Sequence, residues 1–140
     1  MNDHRQLQRL FEQPSVLQDI PICEARLVMA LRIAVVAESL GPDAPSLVAE
    51  RLGGARQAND FSLVLAAMGE AWPEPFKVAR PCCQKLSWDE QTCAVMFRYA
   101  ALNDRARFDR LLAEMLDDDA RNCIFAMMRQ FAKSYLSPSN

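Results

Sequence analysis

Between Pro21 and Gly41-Pro42 runs a stretch with few polar side chains, and its spacing is that of a helix. Ile22, Leu27, Val28, Leu31, Ile33, Val35, Val36 and Leu40 are its apolar set; Glu24, Arg26, Arg32, Glu38 and Ser39 interrupt it. Proline suits the first turn of a helix and Gly-Pro ends one, so the run predicts a helix from about Ile22 to Leu40. A helix that is apolar on most sides has to be enclosed by others. This stretch is therefore the expected centre of a helical core.

The rest of the chain supplies its neighbours. Leu7, Leu10 and Phe11 put one apolar face on a short amphipathic helix over residues 4–12, ended by Pro14. Pro45 opens a helix from Ser46 to Leu52, closed by Gly53-Gly54. After the polar stretch 55–58, Asn59 is expected to cap a helix from Asp60 to Trp72 that turns Phe61, Val64, Leu65 and Met68 inward. Pro73 and Pro75 end it.

Ser87, with Glu90 three residues on, reads as a capping box that starts a helix at Trp88. Its inner side carries Cys93, Met96, Phe97, Ala100 and Ala101. Asn103 is expected to cap the next segment, with Phe108, Leu111, Leu112, Met115 and Leu116 as its stripe. Asp117-Asp118-Asp119 form the cap and first turn of a last helix, facing Cys123, Ile124, Met127, Met128 and Phe131 inward. No stretch alternates as a strand does, and no repeat recurs. The expectation is an all-α fold, a compact bundle of six or seven helices. It forms a single domain over residues 1–140, with 1–76 and 84–140 as possible sub-bundles.

Charge narrows the partners. With 16 basic and 18 acidic residues the formal net charge is −2, so no global field draws in nucleic acid or an anionic membrane. The longest low-charge run, Leu27 to Ala37, is too short to span a bilayer. The polar N-terminus leads into no signal-type apolar core, which points to the cytoplasm. Five cysteines, an odd count, then read as reduced thiols rather than a disulfide framework.

Reactive side chains gather at one place, Arg80-Pro81-Cys82-Cys83-Gln84-Lys85. The proline keeps the pair in a loop or at a helix entry, and cationic neighbours favour thiolates. Cys93 lies in the first turns of the following helix and is expected to approach. Cys82, Cys83 and Cys93 are thus the candidate reactive thiols, for redox sensing or a soft metal. Beside this stands a plainer reading, in which one thiol is buried and the other tolerated. The spacing is not C-x-x-C, and the single histidine, His4, is distant. Cys23, Cys93 and Cys123 each fall on an apolar helix face and read as small buried hydrophobes.

A second pattern, Leu47-Val48-Ala49-Glu50-Arg51-Leu52-Gly53, looks like the first helix and turn of a helix-turn-helix DNA reader. It would make Ala49 the tight helix contact, Leu52 core and Gly53 the turn. The second helix departs from the pattern at Asn59 and Ser62, and the only bases nearby are Arg51 and Arg56, against Glu50 and Asp60. Nucleic acid is the less favoured partner.

Catalytic machinery is missing from the pattern. The carboxylate groups Asp117-Asp118-Asp119 and Asp89-Glu90 sit at helix starts, where capping accounts for them, and Glu70 and Glu74 flank a helix end. No phosphate-binding glycine loop and no nucleophile elbow occurs, and no metal or cofactor motif is present. The methionines and alanines on inner faces suit either core filling or an adaptable groove or dimer face. Trp72 and Trp88 bracket the loop and could wall a pocket.

The order Arg80-Pro81-Cys82-Cys83, Leu86-Ser87, Asp89-Glu90 and an alanine-rich helix ending near Asn103-Asp104 resembles a family of short all-helical proteins of sphingomonad-type alphaproteobacteria. Its members carry a Pro-Cys-Cys segment midway and have no assigned function. The similarity spans about residues 60 to 130. Family members often carry a third adjacent cysteine where this chain has Gln84. The resemblance implies a helical fold and a bacterial setting, and no activity. The expected function is non-enzymatic: a cytoplasmic helical protein that works through protein contacts, as a homodimer or with a protein partner.

Overall fold

The computed structural model describes residues 16–137, so the helix expected over residues 4–12 lies outside the described residues. Six helices and a one-turn segment make up the fold: α1 (Ile22–Val35), the single turn α2 (Ala37–Leu40), α3 (Ala44–Leu52), α4 (Ala55–Ala71), α5 (Trp88–Ala101), α6 (Arg105–Leu112) and α7 (Asp118–Leu136). Among the described residues no strand occurs. A lone antiparallel bridge joins Val16 to Lys85. The architecture is an all-α bundle.

Helix α1 is the enclosed element. Leu27, Val28, Ala30, Leu31 and Arg32 have no exposed surface at all. It runs against α3 and α5, while α4 packs along α7 in the most extensive helix pair. One cluster of buried side chains runs from Leu27 to Ala132. Its middle is aromatic. Phe131 of α7 stands 5.1 Å from Phe61 of α4 and 5.9 Å from Phe97 of α5, ring centre to ring centre, with Tyr135 stacked on it at 5.1 Å. Rings at these separations add attraction beyond the area they bury.

Several expected boundaries move. The helix expected from Ile22 to Leu40 breaks at Val36, whose ψ of 20° leaves the helical region. Two β-branched residues, Val35 and Val36, weaken the helix there, and Ser39 takes the Val36 carbonyl with its hydroxyl at 2.8 Å. Helix α4 starts at Ala55, four residues before the expected cap at Asn59. Gly53 (φ 98°) ends α3 and Gly54 (φ 157°) serves as the N-cap of α4, so a two-residue turn suffices. Asn59 sits exposed within α4. Asn103 likewise is no cap: it adopts φ 55° after α5, a conformation asparagine tolerates, and the neighbouring Asp104 accepts from the Arg107 amide instead.

Two starts fall where the sequence places them. Ser87 and Glu90 form the reciprocal capping box of α5, with the Glu90 amide 3.0 Å from Ser87 Oγ and the Ser87 amide 2.8 Å from Glu90 Oε1. Asp117 caps α7 through the Ala120 amide at 2.8 Å. Cys123 departs from expectation. It is exposed, because Ile124, Met128 and Phe131 set the buried stripe of α7 and the preceding position lies about 100° around the helix.

Candidate functional site

The Pro-Cys-Cys loop is built around a buried cation. Arg32, in the middle of α1, has no exposed surface, and its guanidinium is received by the loop backbone. Nη1 donates to the carbonyls of Cys83 at 2.7 Å, Arg80 at 3.2 Å and Pro81 at 3.4 Å. Nη2 donates to the Lys85 carbonyl at 3.1 Å. The remaining positions go to Glu90, with Nε 2.7 Å from Oε2 and Nη2 3.0 Å from Oε1. All the N–H groups of the side chain thus have acceptors, which a buried guanidinium requires.

Glu90 is equally occupied. Besides Arg32 it accepts from the Ala79 amide at 2.9 Å and from its capping-box partner, the Ser87 amide. Next to it, Asp89 accepts from the Lys77 amide at 2.7 Å and from the indole N–H of Trp72 at 3.2 Å. The Ser87 hydroxyl donates to the Lys77 carbonyl at 2.7 Å. The first turn of α5 therefore fixes the outgoing loop from residue 72 onward. From the other side, the Leu17 amide donates to the Gln84 carbonyl at 2.9 Å.

A second ion pair ties the same two helices. Glu24, buried near the start of α1, receives Nη2 of Arg98 at 2.7 Å and Nε at 3.1 Å. Hydrogen bonding to Glu24 is the main reason the Arg98 guanidinium holds its proton more tightly than usual. Acid and base are exchanged between the pairs, and partners lie eight residues apart on each helix. The two pairs are thus about 12 Å apart along antiparallel axes, which fixes the register of α1 against α5.

The candidate thiols are placed apart by depth. Arg80 to Cys83 form a turn closed by the Cys83 amide on the Arg80 carbonyl at 2.9 Å, with Pro81 leading. Cys82 is exposed at its tip and Cys83 is half-buried. Cys93 is wholly buried within α5, where burial first, then the Glu90 and Asp89 carboxylates, push its thiol up to about 12. It is a protonated core side chain, so a reactive role for Cys93 is corrected by its depth. Cys23 is half-buried. Among the described residues no three His, Cys, Asp or Glu side chains lie together as a metal site would need.

Trp72 and Trp88 do wall a pocket, of about 290 Å³, together with Pro73, Pro75, Lys77 and Met115. The loop cysteines are not part of its lining. A larger groove lies between α1, α3 and α4. It has a volume of about 650 Å³ and is formed by Ala34 and Ala37, by Ala44 to Ser46, Val48 and Ala49 of α3, and by Ala55, Ala58, Asn59, Phe61, Ser62 and Leu65 of α4. None of these lining residues is charged. The pattern that resembles a helix-turn-helix supplies much of this wall: Leu52 is buried, Gly53 makes the turn, and Ala49 faces the groove. Along the exposed residues of α4, Arg56 and Glu70 are the charged ones, one of each sign.

Sequence reasoning missed two things here. It treated Arg32 as an interruption in an apolar helix, although a lone arginine inside such a run signals a buried partner. It also did not foresee that alanines at 34, 37, 44, 49, 55 and 58 line a groove beside the α3–α4 turn. No helix among the described residues is long and apolar enough to cross a membrane. No family model matches the chain, and no curated protein or solved structure matches it either.

Proposed function

We propose that this chain is a non-enzymatic protein that acts through protein contacts, pairing with a second copy of itself through the groove between α1, α3 and α4. The observation that carries this is the groove itself: about 650 Å³, open, and lined without a charged side chain. Exposed Val35, Leu47 and Leu63 each adjoin a lining residue in sequence. Apolar side chains exposed beside an apolar groove mark contact surfaces, and a helix laid in a groove is a common way to fill one.

A two-fold pair needs knob and hole on the same face of the molecule. The groove is the hole, and Leu63, exposed and next in the chain to Ser62 of the groove wall, is the knob we assign. The five free cysteines suit a reducing compartment, and the cytoplasm is the setting we assign. The test is sedimentation of the full chain and of Leu63→Glu. The reading expects a dimer for the first and a monomer with unchanged helicity for the second. A wild-type chain that stays monomeric at every concentration reached would overturn it.

A further inference from the structure

We infer that Cys82 and Cys83 form a redox modification site, in which closing a disulfide between the adjacent thiols loosens the backbone cage around Arg32. The inference rests on the turn and the cage, and is independent of the groove. Cys82 is exposed at the turn tip, next in the chain to half-buried Cys83. The backbone of Cys83 does two jobs at once. Its amide closes the turn on the Arg80 carbonyl at 2.9 Å, and its carbonyl takes Arg32 Nη1 at 2.7 Å, the shortest bond in the guanidinium's set of carbonyl acceptors.

The chemistry balances with a small-molecule disulfide of the glutathione type as oxidant. The Cys82 thiolate, the accessible one, attacks a sulfur of the small disulfide and releases one small thiol, leaving a mixed disulfide on Cys82. The Cys83 thiolate then attacks the Cys82 sulfur, forms the Cys82–Cys83 bond and releases the second small thiol. The two cysteines lose two electrons and their two protons, and the small disulfide gains both as two thiols.

Geometry makes this bond a labile one. Neighbouring Cα atoms are about 3.8 Å apart across a trans peptide, below the separation that disulfides prefer. Closing the ring must therefore turn the peptide unit between the two residues, which carries the Cys83 amide, and so open the bond from that amide to the Arg80 carbonyl that closes the turn. A strained, exposed disulfide is readily reduced again, which is the property a reversible modification needs. The cost falls on Arg32, which is wholly buried and takes all its Nη1 carbonyl acceptors, those of Arg80, Pro81 and Cys83, from this one turn. Oxidation at the surface is thereby read in the core.

The experiment treats the full-length chain and its Cys123→Ser variant with oxidised glutathione, then maps the thiols by mass spectrometry and melts the protein. The Cys123→Ser background removes the other exposed thiol. The inference expects the fragment bearing Cys82 and Cys83 to become lighter by two hydrogens, with a melting temperature lower by about 3 °C or more and restored by dithiothreitol. Cys83→Ser is expected to melt at one temperature in both redox states. A fragment that keeps both thiols, that retains a glutathione adduct, or that gains the internal link with no change in melting would overturn it.

Discussion

Arg32 and Glu90 stand 58 residues apart in the chain and meet in a two-pronged ion pair with both side chains wholly buried. Moving two such charges out of water is costly, and their attraction offsets that only when the remaining polar positions are satisfied. Here the surplus goes to backbone: carbonyls of residues 80–85 for the arginine, amides of Ala79 and Ser87 for the glutamate. The pair thus gives a long, proline-rich loop its conformation.

Removing one partner leaves the other charge uncompensated in the core. Arg32→Met is expected to lower stability by about 3–5 kcal/mol in urea denaturation, because Glu90 stays buried and the Cys83 and Lys85 carbonyls lose their donor. Arg32→Lys is expected to recover little, since one ammonium cannot reach both the carboxylate and the carbonyls. A loss below about 1 kcal/mol for Arg32→Met would contradict the role assigned to it.

The second pair is the weaker one. Arg98 is partly exposed, so solvent screens its attraction to Glu24. Arg98→Ala is expected to cost about 1–2 kcal/mol, less than Arg32→Met, and the loss should shrink in high salt. Equal losses for the two variants would show that burial does not rank the pairs.

Alkaline pH should loosen the fold in a defined window. The Cys93 thiol is pushed from 9.0 up to about 12 by burial first, then by Glu90 and Asp89. The Tyr135 hydroxyl is pushed from 10.0 up to about 12, by burial first, with Cys23 adding and Arg26 opposing. Both groups are raised, so the unfolded chain releases its protons first. Their contribution is whole below about pH 9, falls as the unfolded thiol ionises, and is lost as pH rises through the folded values, at up to about 1.4 kcal/mol per pH unit for each group. Denaturation curves of Cys93→Ala should show a flatter decline above about pH 9 than wild type. The same slope in both proteins would remove Cys93 from the account.

Asp60 of α4 is buried, and its Oδ2 has no hydrogen-bond partner among the described residues. An unsatisfied buried acceptor costs stability, so Asp60→Ala is expected to raise it by about 1 kcal/mol. Thermal unfolding of the two proteins decides the point. A clear loss would mean that the carboxylate is held by something other than its helix neighbours.

Local signals proved the most legible part of the sequence. Ser87 with Glu90, Asp117, Pro45 and Gly53 each dictate a start or stop through their own backbone chemistry, and the structure shows them doing so. The apolar run at 22–40 named the enclosed helix for the same reason. What escaped depends on contacts far apart in the chain. Nothing near Arg32 in sequence announces that its acceptors arrive with residues 80–90, so the thiols of the Pro-Cys-Cys segment were legible while the role of its carbonyls as the cage of a cation was not. Cys123 came out exposed rather than inward because a one-residue offset moves a side chain about 100° around a helix. Gly53-Gly54 allowed a tighter turn than the polar residues after it suggested. The groove was legible only as an excess of alanine, since small side chains at 34, 49, 55 and 58 become a surface feature once α1, α3 and α4 are set side by side.

Amide hydrogen exchange on the wild-type chain tests the cage most directly. A surface loop of this length ordinarily exchanges quickly. The account predicts that the amides of Ala79, Cys83 and Ser87 are protected to the level of the interior of α5, because Glu90, the Arg80 carbonyl and Arg32 hold them in one unit. Exchange at those amides as fast as at the exposed ends of the helices would contradict it.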